Sequence, residues 1–154
     1  MHGDNIDRAL DRLTHGVYLI GTGAGKRRNA MTAAWVTQAS GRPPIVLVAV
    51  GKTHYTSELI PEAGAFSLNV LSADQYELAR KCGFGTGRYT DRLAGLETVT
   101  KATGAPVLAE CAAYLDCELV SQFPIGDHIV FAGQVVDAGS TDAPVMVYRS
   151  ADFF

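Results

Sequence analysis

Long apolar runs are absent from this chain of 154 residues, and none approaches the roughly 20 residues that a membrane-spanning helix requires. The opening Met1-His2-Gly3-Asp4-Asn5 lacks the charged and apolar parts of a secretory leader, so a soluble cytoplasmic protein without membrane association is expected. Cysteine is scarce. Cys82, Cys111 and Cys117 are odd in number and match no Cys-x-x-Cys metal or redox spacing, so each reads as a small buried hydrophobe. Positive charge is scarce too: the net charge is −3, and no basic run is longer than Lys26-Arg27-Arg28. That argues against nucleic acid as the main partner, although one phosphate on a small molecule needs only a few local donors. His2, His15 and His54 form no metal spacing with His128, and neither a Ser-His-Asp order nor a paired-carboxylate signature is present. What remains is 47% apolar and 19% charged, the balance of a globular protein, and the length suits one domain over residues 1–154.

The stretch Asn29-Ala-Met-Thr-Ala-Ala-Trp-Val-Thr-Gln-Ala-Ser40 is small and polar on both faces, poor packing material but a good cradle for a flat ligand. Thr32, Trp35, Val36 and Thr37 favour a strand across it. A helix capped by Asn29, with Met31, Ala34, Trp35 and Gln38 at helical spacing, is the alternative. Before it, Ile6, Ala9, Leu10 and Leu13 predict an amphipathic helix ending near Gly16, and Val17 to Ile20 a strand. The following Gly21-Thr22-Gly23-Ala24-Gly25-Lys26 is not a phosphate loop. A P-loop needs Gly where Ile20 stands and Ser or Thr where Arg27 stands, so a flexible hairpin is expected.

Beyond it, Ile45 to Val50 reads as a strand buried on both faces, and Thr56 as the cap of a helix ended by Gly64. Phe66, Leu68 and Val70 alternate with Ser67 and Asn69 as a half-buried strand, and Ser72-Ala73-Asp74-Gln75 fits a capping box for a helix to about Cys82. Strands are also expected at Glu97–Lys101, Ala113–Leu119, His128–Val136 and Val145–Tyr148. About six or seven strands with short helices and no βαβ regularity make a mainly β fold, a barrel or a sandwich.

Several segments together resemble the flavin reductase-like family of flavin mononucleotide (FMN)-binding split barrels, its flavoredoxin-like branch most closely. They are Asn29-x-Met31-Thr32-Ala33-Ala34-Trp35 leading to Ser40-x-x-Pro43-Pro44, Lys52-x-x-Tyr55-Thr56, Gly83-Phe84-x-Thr86-Gly87-Arg88 with Asp91-Arg92, and Gly126-Asp127-His128. The resemblance implies a Greek-key split barrel acting as a homodimer, with FMN near the subunit interface. It also implies NADH or NADPH as hydride donor and free flavin, a redox partner protein or another acceptor as recipient. Carried onto matching positions, it places flavin contacts at Asn29, Met31, Thr32, Ala33, Ala34, Trp35, Thr37 and Ser40, at Lys52, Tyr55 and Thr56, and at Cys82, Phe84, Thr86 and Arg88. His128 becomes the candidate catalytic residue beside the nicotinamide.

The residue chemistry suits these assignments. Thr32, Ala33 and Ala34 are small enough for a flat ring to reach the backbone, and Trp35 could pack on the ring or simply be core. Lys52, Thr56, Thr86 and Arg88 could hold a phosphate near a helix N-terminus, though each cation alone reads as a surface charge. A non-catalytic FMN-binding electron-transfer or sensor module is the alternative function, and a small barrel without flavin a third.

Overall fold

The computed structural model describes residues 2–83 and 87–153. Its elements run α1 (His2–Leu10), β1 (Tyr18–Ala24), β2 (Arg27–Ala33), β3 (Val36–Gly41), β4 (Pro44–Gly51), α2 (Tyr55–Ala63), β5 (Ala65–Val70), α3 (Tyr76–Gly83), β6 (Thr98–Thr100), β7 (Pro106–Leu108), β8 (Ala113–Ile125) and β9 (His128–Ser140). Seven strands form one antiparallel sheet in the order β2-β1-β5-β8-β9-β4-β3. β2 and β3 end that order at opposite edges, yet only Ala34 and Trp35 separate them in the chain. The sheet therefore has to curl until its edges come together at this junction, giving a Greek-key split barrel.

Alternation along the strands sorts side chains between two cores. Ile20, Val48, Val50, Phe66, Leu68 and Phe131 fill the barrel interior, with Ile60 of α2 closing onto them. Val17, Leu19, Leu71, Ala79, Cys82 and Phe153 form a second core outside the sheet, beneath α3. β1 is thus covered on both faces.

Several expectations change in three dimensions. The stretch from Asn29 to Ser40 is two strands broken at Ala34-Trp35, because the chain must cross from one sheet edge to the other there. Gly21 and Gly23 belong to β1, and the hairpin turn is confined to Gly25 and Lys26. Gly25 takes a positive φ of 56°, which glycine adopts without cost. β4 buries only Val46, Val48 and Val50, leaving Ile45, Leu47 and Ala49 half-buried on the outer face. β5 is covered on both faces instead of one. Ser67 donates to the Pro106 carbonyl at 2.5 Å, and Asn69 Oδ1 accepts from the Leu108 amide at 3.0 Å, so the short hairpin β6–β7 covers its polar face. Val145 to Tyr148 makes isolated bridges, Gly16 with Val147 and Ser72 with Val145, and forms no strand. α1 ends at Leu10 and leaves Ile6, Leu10 and Leu13 exposed.

α3 starts as its capping box predicts. Gln75 Oε1 accepts from the Ser72 amide at 2.9 Å, while the Ser72 hydroxyl donates to Asp74 and not to the helix. α2 departs further from expectation: its N-cap is His54, and Thr56 lies inside the helix, fully buried. Gly64 closes it in the left-handed conformation, its amide donating to the Ile60 carbonyl at 2.8 Å.

Candidate functional site

Asn29 sits on β2 where that strand passes the start of α2, and it is 1% exposed. Its Nδ2 donates to the Thr56 hydroxyl at 3.0 Å, and its Oδ1 has no partner among the described residues. Whichever way the amide is turned, one end bonds Thr56 and the other is left over, a cost of about 1–3 kcal/mol unless something fills it. This amide lines a pocket of about 220 Å³ with Thr53, His54, Tyr55, Gly87 and Arg92.

The pocket is electropositive by construction. α2 points its N-terminus at it, and the His54 side chain does not cap that end. Arg92, 7% exposed, donates from Nη1 to the Ala30 carbonyl at 3.2 Å and is the one buried cation among the described residues. Burial lowers the Arg92 pKa from its usual value, but a guanidinium starts so high that its charge persists. The His54 pKa is also lowered, chiefly by burial and then by Arg92 and His128.

Three residues further along β2 a second, smaller cleft opens, about 120 Å³, lined by Thr32, Ala33, Ala34, Gly83, Tyr148 and Phe153. The Thr32 hydroxyl donates to the Ala79 carbonyl at 2.6 Å, which ties the cleft wall to α3. At a strand rise of about 3.3 Å per residue, Asn29 and Thr32 lie roughly 10 Å apart along the strand. One elongated ligand could therefore touch both clefts.

Of the other candidates, Tyr55 is buried, with the Arg88 guanidinium 4.7 Å above its ring. Arg88 also pairs with Glu58 on α2. Met31 and Cys82 pack in the inner and outer cores, respectively. Lys52 is exposed, its amide donating to the Asp127 carbonyl at 3.0 Å. Thr37 and Ser40 face a different cavity, of about 540 Å³, along β3 and β4, and the Ser40 hydroxyl donates to the Pro43 carbonyl. Phe84 and Thr86 lie outside the described residues.

Trp35 is not core. It is 55% exposed, with its ring 4.6 Å from that of His128, whose Nδ1 lies 2.6 Å from Asp127 Oδ1. That hydrogen bond and the imidazole's charge hold the Asp127 carboxyl below the usual range. Strand register places Trp35, Ala49, Val130 and Phe123 in one outward row beside His128 and Ile125. Burial raises the thiol pKa of all three cysteines, Cys117 to about 12, which leaves them protonated at neutral pH. Cys82 and Cys117 are the buried hydrophobes expected, whereas Cys111 is half-buried.

Thr53, His54, Gly87 and Arg92 are the pocket residues absent from the sequence-derived contacts, although Gly87 and Arg92 stood in one of the resembling segments. The segment carrying Arg92 is pinned by its neighbour: Arg28 Nη2 donates to Asp91 Oδ2 at 2.7 Å, and Asp91 Oδ1 accepts from the Leu93 amide at 3.0 Å. The Arg28 hydrogen bond is the largest cause that lowers the Asp91 pKa. A depressed carboxylate stabilises the fold above its unfolded pKa, and that stability is lost as pH falls through the folded value. Asp91→Asn should therefore lose little stability at acid pH but measurably more at neutral pH, by less than about 1 kcal/mol because the pair is exposed. Urea denaturation at the two pH values checks this.

A curled Greek-key barrel with these two clefts defines the split-barrel class. The chain belongs to the flavin reductase-like domain family, whose model matches residues 10–153. It is 35% identical to diflavin flavoprotein A 1 of Synechocystis sp. over 86% of its own length, but it covers only 23% of that relative. It is 32% identical to the NADH-dependent FMN reductase AsuE2 of Streptomyces nodosus subsp. asukaensis, over 94% of this chain and 80% of that one. Among solved structures it is similar to the NADH:FAD oxidoreductase SgcE6 of Streptomyces globisporus, with a TM-score of 0.87, 28% identity and coverage of 95% and 88% of the two chains.

Proposed function

We propose that this chain binds FMN across the two clefts and works as an NAD(P)H-dependent flavin oxidoreductase. The observation that carries the reading is the buried Asn29 amide with an unpartnered Oδ1 in a pocket that also holds a buried arginine and an open helix N-terminus. An acceptor without a donor suits a ligand hydroxyl, and the cation and helix end suit a phosphate. FMN carries both, on its ribityl chain and its terminus.

In this reading Arg92, the first amides of α2 and Thr56 hold the phosphate, Asn29 takes a ribityl hydroxyl, and the walls at Thr32–Ala34 receive the flat ring. Arg88, held by Glu58, closes the outer side of the phosphate pocket, and Lys52 adds long-range positive charge. When bound, FMN supplies the two-electron chemistry, taking a hydride from NADH or NADPH and passing electrons to free flavin or a redox partner. His128 then stands outside the pocket, its ring oriented by Asp127 and Trp35, where it can position a nicotinamide or hold a proton. The half-exposed outer row of Trp35, Ala49, Phe123 and Val130 is the face through which a homodimer would form. No described helix is long and apolar enough to cross a membrane, and a cytoplasmic location, with access to nicotinamide nucleotides, completes the proposal.

The longer diflavin relative gives a second reading, in which this chain is an FMN-binding electron-transfer module. Visible absorbance of the purified protein with FMN, followed by anaerobic NADH and NADPH, separates the two. Bound flavin that bleaches rapidly supports the reductase. Bound flavin that stays oxidised supports the carrier, and absence of binding overturns both.

A further inference from the structure

His54 stands at the wall of the phosphate pocket without a role so far. Its ring packs over Gly51: a Cβ there would lie 2.6 Å from His54 Cδ2 and 3.1 Å from Nε2, so the bare backbone at position 51 makes room for the imidazole. His54 is the N-cap of α2, in extended conformation, and its ring leaves the first turn of the helix uncapped. The same pocket contains Arg92 and the unpartnered, buried Asn29 Oδ1.

Resting on the phosphate placement proposed above, we propose that His54 reads the charge of the ligand's phosphate. It takes up a proton from solvent when a phosphate monoester dianion enters, and so favours FMN over flavins whose phosphates are diesters or absent.

The charges around the ring determine the direction. Arg92 approaches from the segment after Gly87, and His128 from β9, where Gly51 pairs with it. Asp127 is engaged with His128, Lys52 lies two residues before His54, and Glu58 on α2 is engaged with Arg88. With no anion present, partial burial first, then Arg92 and His128, hold the imidazole below its ordinary pKa, hence neutral at pH 7. A dianion brings two negative charges. Arg92 balances one of them, and a proton on His54, at the solvent-exposed wall of the pocket, balances the other. A diester brings one charge per phosphate and leaves His54 neutral.

The sign follows from linkage. The complex holds more protons than its separated parts, so FMN affinity falls as pH rises through the His54 pKa of the complex and is flat above it. The second ionisation of a phosphate monoester lies near pH 6, so a measurement at about pH 7.5 isolates the protein's proton.

Calorimetry of FMN binding to the full chain at that pH, in buffers of different ionisation enthalpy, should show net proton uptake of up to one per FMN. Riboflavin should show none. His54→Gln should abolish the uptake and weaken FMN by up to about tenfold, the limit that one pKa unit of coupling sets and that is approached as pH falls, while binding riboflavin as the unmodified protein does. FMN binding without uptake, or uptake that survives in His54→Gln, overturns the inference and leaves the phosphate placement standing. The buffer comparison on the unmodified chain needs no variant to fold. Equal affinity for FMN and riboflavin overturns the phosphate placement, and this inference with it.

Discussion

Arg92→Met lowers FMN affinity about 100-fold and riboflavin affinity by no more than a few fold. The guanidinium is 7% exposed, is held by the Ala30 carbonyl, and sits in the pocket opposite the start of α2. Removing one member of a buried, hydrogen-bonded charge pair costs about 2–5 kcal/mol, part of it because the phosphate stays desolvated beside nothing. Three kcal/mol corresponds to roughly two decades of affinity. Methionine preserves the aliphatic stem, so the packing of that stem is largely retained. Arg92→Lys should recover part of the loss, since the charge returns but not the two-pronged donor geometry. Lys52→Ala with Arg88→Ala should cost less than Arg92→Met alone. Lys52 is exposed, and Arg88 is 41% exposed and already paired with Glu58, so solvent screens both. Titration of each variant with FMN and riboflavin decides the order. Equal losses for the two ligands would remove Arg92 from the phosphate.

The comparison between Arg92 and Arg88 shows where the sequence was legible. Arg88 stands in a glycine-rich run and looked like a phosphate ligand, while Arg92 stood in the same resembling segment, with Asp91, but was given no contact of its own. Burial reverses their weight, through a contact between Arg92 and Ala30, 62 residues away. No local pattern encodes such a contact. The available signal was the Asp91-Arg92 pair in the resembling segment, and the partner that anchors Asp91, Arg28, is again distant in sequence.

Elements with strong periodicity or caps were readable: β8 as far as Leu119 and β9 as far as Val136, although they run on to Ile125 and Ser140, α3 with its capping box, and the Gly64 end of α2. β7 was not, because Pro106-Val107-Leu108 is too short to show a period. Its role as cover for Ser67 and Asn69 exists only after β5 is in place. The same cover explains why β5 alternates like a half-exposed strand and yet is buried on both faces. The break at Ala34-Trp35 was hidden for a related reason. It is imposed by curling the sheet, and both residues are tolerable inside a strand.

Gly87→Ala should weaken FMN binding by about two decades, as a substitution that adds a single methyl group. A Cβ at position 87 would lie 1.7 Å from Asn29 Oδ1, 2.3 Å from Cγ and 2.9 Å from Nδ2, far inside contact distance. The collision with the Asn29 amide is the expected cause of the effect. Asn29 is buried beside the pocket that it lines, so its amide must rotate away into that pocket and release the Thr56 hydroxyl at the start of α2. Overpacking costs about 1–3 kcal/mol and the stranded polar groups about as much again, which together reach a hundredfold. A double-mutant cycle identifies the cause. Asn29→Ala alone should weaken FMN by loss of the amide, and adding Gly87→Ala to it should cost almost nothing more, because the obstructing side chain is gone. Gly41→Ala, where a Cβ meets nothing within 4 Å, is the neutral reference. If Gly87→Ala costs as much in the Asn29→Ala background as in the unmodified chain, then Gly87 is needed for something other than room for Asn29. The pocket would in that case owe its shape to the loop and not to the amide.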